Sequence, residues 1–155
     1  MSQPANGRDL VHGTALALGD KAVLIRGPSG SGKSDLALRC IAAAPLAHIP
    51  LRIELVADDQ VSLVRGERGI EVSAPPTIAG KMEVRGLGIL SLPHRPSAVL
   101  TLVVDLVSVS DVPRFPLDEV SAEFLGVEIP VVRLAPFEAS SPVKVILALE
   151  AAAAR

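Results

Sequence analysis

The chain has no tryptophan and no tyrosine, and its three phenylalanines bring aromatics to only 2% of 155 residues. Its apolar content is still 49%, which excludes a disordered chain. The core must therefore come from Val, Leu, Ile and Ala. The shortage of aromatics argues against stacking platforms for single-stranded nucleic acid. With 15 basic against 17 acidic residues and a net charge of −2, no basic block supplies a nucleic-acid footprint. The single cysteine, Cys40, excludes an internal disulfide, and its neighbours Leu36, Ala37, Leu38 and Ile41 mark it as a buried, inert thiol. Residues 1–7 lack the basic and apolar segments of a signal peptide. The longest apolar run, Ala98 to Val109, is interrupted by Asp105 and is too short to span a bilayer. These absences lead us to expect a cytoplasmic protein with no nucleic-acid or membrane partner, folded as one domain over residues 1–155.

What is present is narrower. Gly27-Pro28-Ser29-Gly30-Ser31-Gly32-Lys33-Ser34 matches the phosphate-loop pattern G-x-x-x-x-G-K-[ST] at every fixed position. Lys21 to Arg26 before it reads as a short buried strand, and Ser34 to Ala44 after it as a helix. Strand, glycine loop and helix in that order give the pattern its mechanism. Loop N–H groups cradle phosphate oxygens, and the positive end of the new helix favours the anion. Lys33 would reach the terminal phosphates of a nucleotide such as ATP, and Ser34 would set its hydroxyl on Mg²⁺. A strand-to-helix turn that binds nothing is the bland alternative.

Along the rest of the chain, Val11 to Leu18 reads as a strand joined to the loop strand by a Gly19-Asp20 turn. The helix should stop near Pro45. Glu54 to Ala57, Val61 to Val64 and Gly69 to Ser73 read as strands. Met82 to Leu92 reads as an extended segment that two glycines weaken or bend. Val99 to Val107 has the composition of a central strand. Ser108 to Ser121 reads as an exposed loop, and Val131 to Leu134 as a short strand. A final helix begins at Ser140 or Ser141, either of which would cap it, with Pro142 in its first turn. Val143, Ile146, Leu147 and Ala151 would share its buried face. The expectation is an α/β domain with a mixed sheet and few helices, its motif-bearing core running over about 11–150.

Leu55-Val56-Ala57-Asp58-Asp59 ends an apolar strand in two carboxylates. On an extended backbone they would point to different sides, so one could hold metal and the other accept a proton. Asp also favours strand ends for structural reasons alone. Glu83 and Arg85 would share a face of an extended segment, as metal ligand and phosphate clamp or as an ordinary surface pair. His12 precedes the loop strand. Arg114 lies in a polar loop from which it could swing toward a transferring phosphate.

His12-Gly13, the loop at 27–34, Leu55 to Asp59 and Glu83-Val84-Arg85-Gly86-Leu87-Gly88-Ile89 together resemble the bacterial HPr kinase/phosphorylase family. The resemblance is clear from about Val11 to Val107 and looser beyond. It implies a fold like the nucleotide domain of phosphoenolpyruvate carboxykinase. It also implies an ATP- and Mg²⁺-dependent serine kinase acting on the phosphocarrier HPr or a paralogue, as part of phosphotransferase-system regulation. On that pattern Lys33 holds the nucleotide phosphates, and Ser34 and Glu83 bind Mg²⁺. Asp59 takes the serine proton, Asp58 and His12 orient it, Arg85 belongs to the segment needed in both directions, and Arg114 matches a catalytic arginine. The chain departs from the family in having no room for its additional N-terminal domain, which suggests a catalytic-domain-only form. Its stretch Leu134 to Ser140 lacks the basic, glycine-containing turn associated with dephosphorylation. That weighs against the reverse phosphorolysis and leaves the family's hexameric assembly, or any homo-oligomer, open. A small-molecule kinase and a nucleotide sensor without turnover are the competing readings; a sensor has no need of the second aspartate.

Overall fold

The computed structural model describes residues 7–115 and 120–152. Part of the expected 108–121 loop and the chain's last residues lie outside them. The strands are β1 (Arg8–His12), β2 (Thr14–Leu18), β3 (Lys21–Arg26), β4 (Ile53–Ala57), β5 (Gln60–Gly66), β6 (Gly69–Ser73), β7 (Lys81–Val84), β8 (Gly88–Ser91), β9 (Ala98–Leu106), β10 (Ser121–Phe124) and β11 (Val127–Leu134). The helices are α1 (Lys33–Ala43) and α2 (Ser141–Ala151). The domain is thus mixed α/β and strand-rich.

The main sheet runs β1-β5-β6-β9-β3-β2-β4. β9 lies at its centre, as its Val/Leu composition predicts. One edge of β9 pairs in parallel with β3 along its length. The other edge is divided, with β6 antiparallel at Ala98 and Val99 and β11 parallel from Val103 to Leu106. β10 then adds antiparallel to β11. Three parallel strands, β3, β9 and β11, therefore end side by side.

Strand alternation separates two cores. Val23, Ile25, Leu55, Leu102 and Val104 face α1 and α2, where they meet Leu36, Cys40, Val145, Ile146 and Leu149. Ala22, Leu24, Val56, Leu100 and Val103 face the other way, against Leu63, Ile70, Phe124 and Ile129 from the sheet's own outer strands. Apart from Cys40 and Met82 on the first side and Phe124 on the second, both cores are aliphatic. The helix C-terminus of α2 is closed by Lys21, whose Nζ donates to the carbonyls of Glu150 and Ala152 at 2.8 and 2.7 Å.

Six expectations need correction. Val11 to Leu18 is not one strand, because β1 pairs with β5 while β2 pairs with β3 and β4, and the chain changes partners at Gly13. A Cβ on Gly13 would sit 2.9 Å from the Ile25 carbonyl oxygen and from Leu24 Cδ1, so only glycine fits that crossing. Met82 to Leu92 is a hairpin of β7 and β8, and its glycines close a turn instead of bending a strand. Arg85 lies in that turn, so it does not share an extended face with Glu83. The Val131–Leu134 strand is the end of the longer β11, with β10 beside it. At α2 no serine side chain caps the helix. Ser140 holds the cap position without a cap bond, and Ser141 Oγ donates instead to the Ala135 carbonyl at 2.5 Å. The buried face of α2 is Pro142, Val145, Ile146 and Leu149, while Leu147 and Ala151 are exposed.

Candidate functional site

The loop leaves the end of β3 and enters α1 at Lys33. Gly32 precedes the helix in a left-handed conformation, φ 100°, which a side chain would strain. The helix starts with the Leu36 N–H donating to the Gly32 carbonyl at 2.9 Å. The N–H groups of the first turn, ahead of Leu36, have no partner within the helix, as at any helix start, and a helix start is where anions are held. Lys33 is nearly buried and bends back over the loop, its Nζ donating to the carbonyls of Gly27 and Pro28 at 2.8 and 2.9 Å. Ser31 Oγ is buried with no hydrogen-bond partner. An orphaned hydroxyl and a lysine held over backbone carbonyls fit a loop built to receive an oxyanion.

The two aspartates sit at the end of β4 and have opposite surroundings. Asp58 is buried, and its Oδ1 accepts from Thr14 Oγ1 at 2.9 Å and from Ser34 Oγ at 2.8 Å. The last residue of the phosphate loop is thereby tied to the acid strand. Asp59 turns outward through a left-handed backbone, φ 71°, and its side chain is 74% exposed. The two side chains do point to different sides, but a left-handed turn separates them, not an extended strand. His12 Nδ1 lies 3.4 Å from Asp59 Oδ1, and the Gly13 N–H donates to the Asp59 carbonyl at 3.1 Å. The end of β1 therefore steadies the outward aspartate.

On the other flank of the loop, Arg26 forms a two-pronged pair with Asp105 of β9 at 2.8 and 2.9 Å. Arg39 of α1 pairs with Asp35 and donates to the Pro136 carbonyl. That contact holds the segment after β11 against the loop. A Cβ on Gly32 would lie 2.8 Å from the ring of Phe137.

Glu83, Arg85 and Arg114 are not brought into this group. Glu83 is exposed on β7, whose Met82 is buried in the core beside Leu36 and Ala37 of α1. No hydrogen bond or ion pair among the described residues joins Glu83 or Arg85 to the loop or the aspartates. The guanidinium of Arg114 lies over the ring of its neighbour Phe115, 5.7 Å from the centroid. Among the described residues no cluster of three His, Cys, Asp or Glu side chains suits a metal. Ser34 and Asp58 still present a hydroxyl and a carboxylate oxygen within 2.8 Å of each other, hard donors that suit Mg²⁺ shared with phosphate oxygens. No helix among the described residues is long and apolar enough to cross a membrane.

Sequence reasoning missed Thr14, Arg39 and Phe137. Thr14 stands 44 residues from Asp58, so no spacing rule joins them. Arg39 reaches the Pro136 carbonyl 97 residues away, a contact that its spacing from Asp35 on the helix does not announce.

Residues 5–155 match the sequence model of the family described as HPr Serine kinase C-terminal domain. The chain is 39% identical over 118 residues to the HPr kinase/phosphorylase of Neisseria meningitidis, covering 71% of this chain and 34% of that protein. It is 38% identical over 144 residues to the HPr kinase/phosphorylase of Cupriavidus metallidurans, covering 86% of this chain and 42% of that protein. The chain thus spans well under half the length of these curated relatives. The solved Hpr(Ser) kinase/phosphatase from Coxiella burnetii shares the fold, with a TM-score of 0.75 at 22% identity over 90% of this chain and 88% of that one.

Proposed function

This chain belongs to the family of HPr serine kinase C-terminal domains, and from that premise we propose that it is an ATP- and Mg²⁺-dependent protein serine kinase acting on HPr or a close phosphocarrier. The observation that carries the reading is the hydrogen bond from Ser34 to Asp58, with Asp59 exposed beside it. It joins a phosphate loop to a buried acid and leaves a second acid open to an incoming protein.

In this reading the loop N–H groups and Lys33 hold the phosphates, Lys33 exchanging its loop carbonyls for phosphate oxygens. Ser34 and the Asp58 carboxylate would hold Mg²⁺, which when bound would supply charge to neutralise the transferring phosphoryl group. Glu83, exposed on the hairpin outside that group, is left without a part in holding it. Asp59 accepts the proton of the acceptor serine hydroxyl. That oxygen bonds to the γ-phosphorus, the bond from phosphorus to the β–γ bridging oxygen breaks, and ADP leaves. His12, 3.4 Å from Asp59, orients the carboxylate. Arg85 and Arg114 are assigned to the acceptor side, since each is exposed on a segment able to meet a partner. Leu87 and Ile89 support a protein acceptor over a small molecule. Each is 71% exposed on the hairpin that carries Glu83, an apolar surface suited to a protein partner.

Reverse phosphorolysis is the weaker half of the proposal. The 134–140 stretch offers an apolar ring to the loop where a basic turn would otherwise stand. The test is incubation with labelled ATP, Mg²⁺ and purified HPr. Label on a serine of HPr is the expected result; a folded protein that leaves HPr unlabelled would sink the assignment.

A further inference from the structure

A cavity of about 360 Å³ opens beside the phosphate loop, between the segments that follow β9 and β11. That volume lies within the range of small-ligand sites. Its apolar lining comes from Val107, Val109, Ala135, Pro136 and Phe137. The walls are held from several directions. The Val107 N–H donates to the Leu134 carbonyl at 2.9 Å, Ser141 Oγ holds the Ala135 carbonyl, and Arg39 holds that of Pro136. Phe137 connects the cavity to the loop, its ring lying against Gly32.

Topology gives the site a direction. β3 carries the loop. On one side of β3, beyond β2, β4 ends in the two aspartates. On the other side β9 and β11 run parallel to β3 and end at the cavity. A ligand whose phosphates occupy the loop at the carboxyl ends of parallel strands can point one end toward the acids and the other toward the cavity. The end that reacts belongs with the acids.

We propose that this cavity receives the nucleoside portion of the phosphate donor, with the Phe137 ring as its stacking face. The proposal rests on the nucleotide-binding reading of the loop above. Phe137 and Val109 are 69% and 63% exposed, an apolar pair at the mouth that a flat base would cover. The two polar side chains of the lining are already engaged. Ser108 donates to Asp111 at 2.8 Å, and Glu138 pairs with Lys144 at 3.4 Å. Recognition here is therefore by shape and stacking.

The experiment is calorimetric titration of the whole chain, in Mg²⁺, with ATP and with inorganic tripolyphosphate. ATP is expected to bind roughly tenfold more tightly, an advantage of the size that one base–aromatic contact gives. Phe137→Ala should remove most of that advantage and leave tripolyphosphate within about twofold. Val109→Gln, at an exposed position away from the loop, should do the same. Equal binding of the two probes by the unmodified chain would overturn the nucleoside site while leaving the phosphate loop standing. So would variants that leave ATP binding unchanged, or that weaken both probes alike. If neither probe binds, the phosphate-loop reading falls, and this one with it.

Discussion

Thr14→Val tests the buried centre of the site most directly. Thr14 is fully buried on β2, and its hydroxyl is one of two donors to Asp58 Oδ1, at 2.9 Å. Valine has nearly the same shape, so the change removes a donor without opening a hole. A hydrogen bond to a charged group contributes about 1.5–3 kcal/mol. The added methyl returns up to about 0.8 kcal/mol of apolar burial. The expected net loss is about 1–2 kcal/mol, a fall of roughly 2–8 °C in the unfolding midpoint for a chain of this size. Thermal and urea unfolding followed by circular dichroism would measure it. The cause is isolated by repeating the change in an Asp58→Asn background, where the acceptor is uncharged. There Thr14→Val should cost about 1 kcal/mol less, because residues in contact are coupled. Equal costs in the two backgrounds, or a stabilised single variant, would refute the claim that Thr14 serves the Asp58 carboxylate. Phosphoryl transfer should also slow in Thr14→Val, as the carboxylate loses one of two fixed partners, while ATP affinity changes little.

Asp59→Asn should abolish transfer to HPr while ATP affinity stays within about twofold, because the side chain is exposed and joins the site only through its carboxylate; surviving turnover would remove Asp59 from the role of base. Burial pushes the Cys40 thiol up to about 12, so a maleimide at pH 8 should label it no faster than the protein unfolds. The same raised value makes the thiol's contribution to stability complete below the unfolded value near 8.5 and lost progressively as pH rises toward about 12, which Cys40→Ala should flatten in alkaline urea titrations. Arg95, with Arg68, holds the Asp20 carboxyl below the usual range, so its contribution is present above the unfolded value of about 3.9 and disappears as pH falls through the lower folded value. Asp20→Asn should flatten that acid limb, and added salt should shrink the difference, since the group lies at the surface.

The parts of the site legible in the sequence are those whose geometry is local. A phosphate loop is eight consecutive residues, and its strand and helix are fixed by its neighbours. Asp58 and Asp59 were visible because a strand end is a local event, although the left-handed turn that separates them was not. What stayed hidden depends on which strand meets which. Gly13 carries no signal that the chain changes partners there; only the crowding at Ile25 shows it. Pro130, which cannot donate to a ladder, hid the first half of β11, whose pairing moves from β10 to β9 just beyond it. Thr14 and Phe137 are brought to the loop by pairings that no window along the chain contains. The apolar face of α2 was displaced because Leu147 and Leu149 are equally apolar, and only the neighbouring sheet selects between them.

The left-handed backbone at Asp59 has a consequence for how such a domain changes over generations. Aspartate, asparagine and glycine are the residues that tolerate that conformation. The backbone at position 59 therefore accepts Asn almost as readily as Asp, so beyond the exposed contact with His12 little in the stability of the chain defends the carboxylate. Aspartate and asparagine codons differ by a single base. With Asp59 as the base proposed above, a lineage freed from selection for phosphoryl transfer would lose that chemistry in one step, with its loop, its sheet and its Ser34–Asp58 link undisturbed.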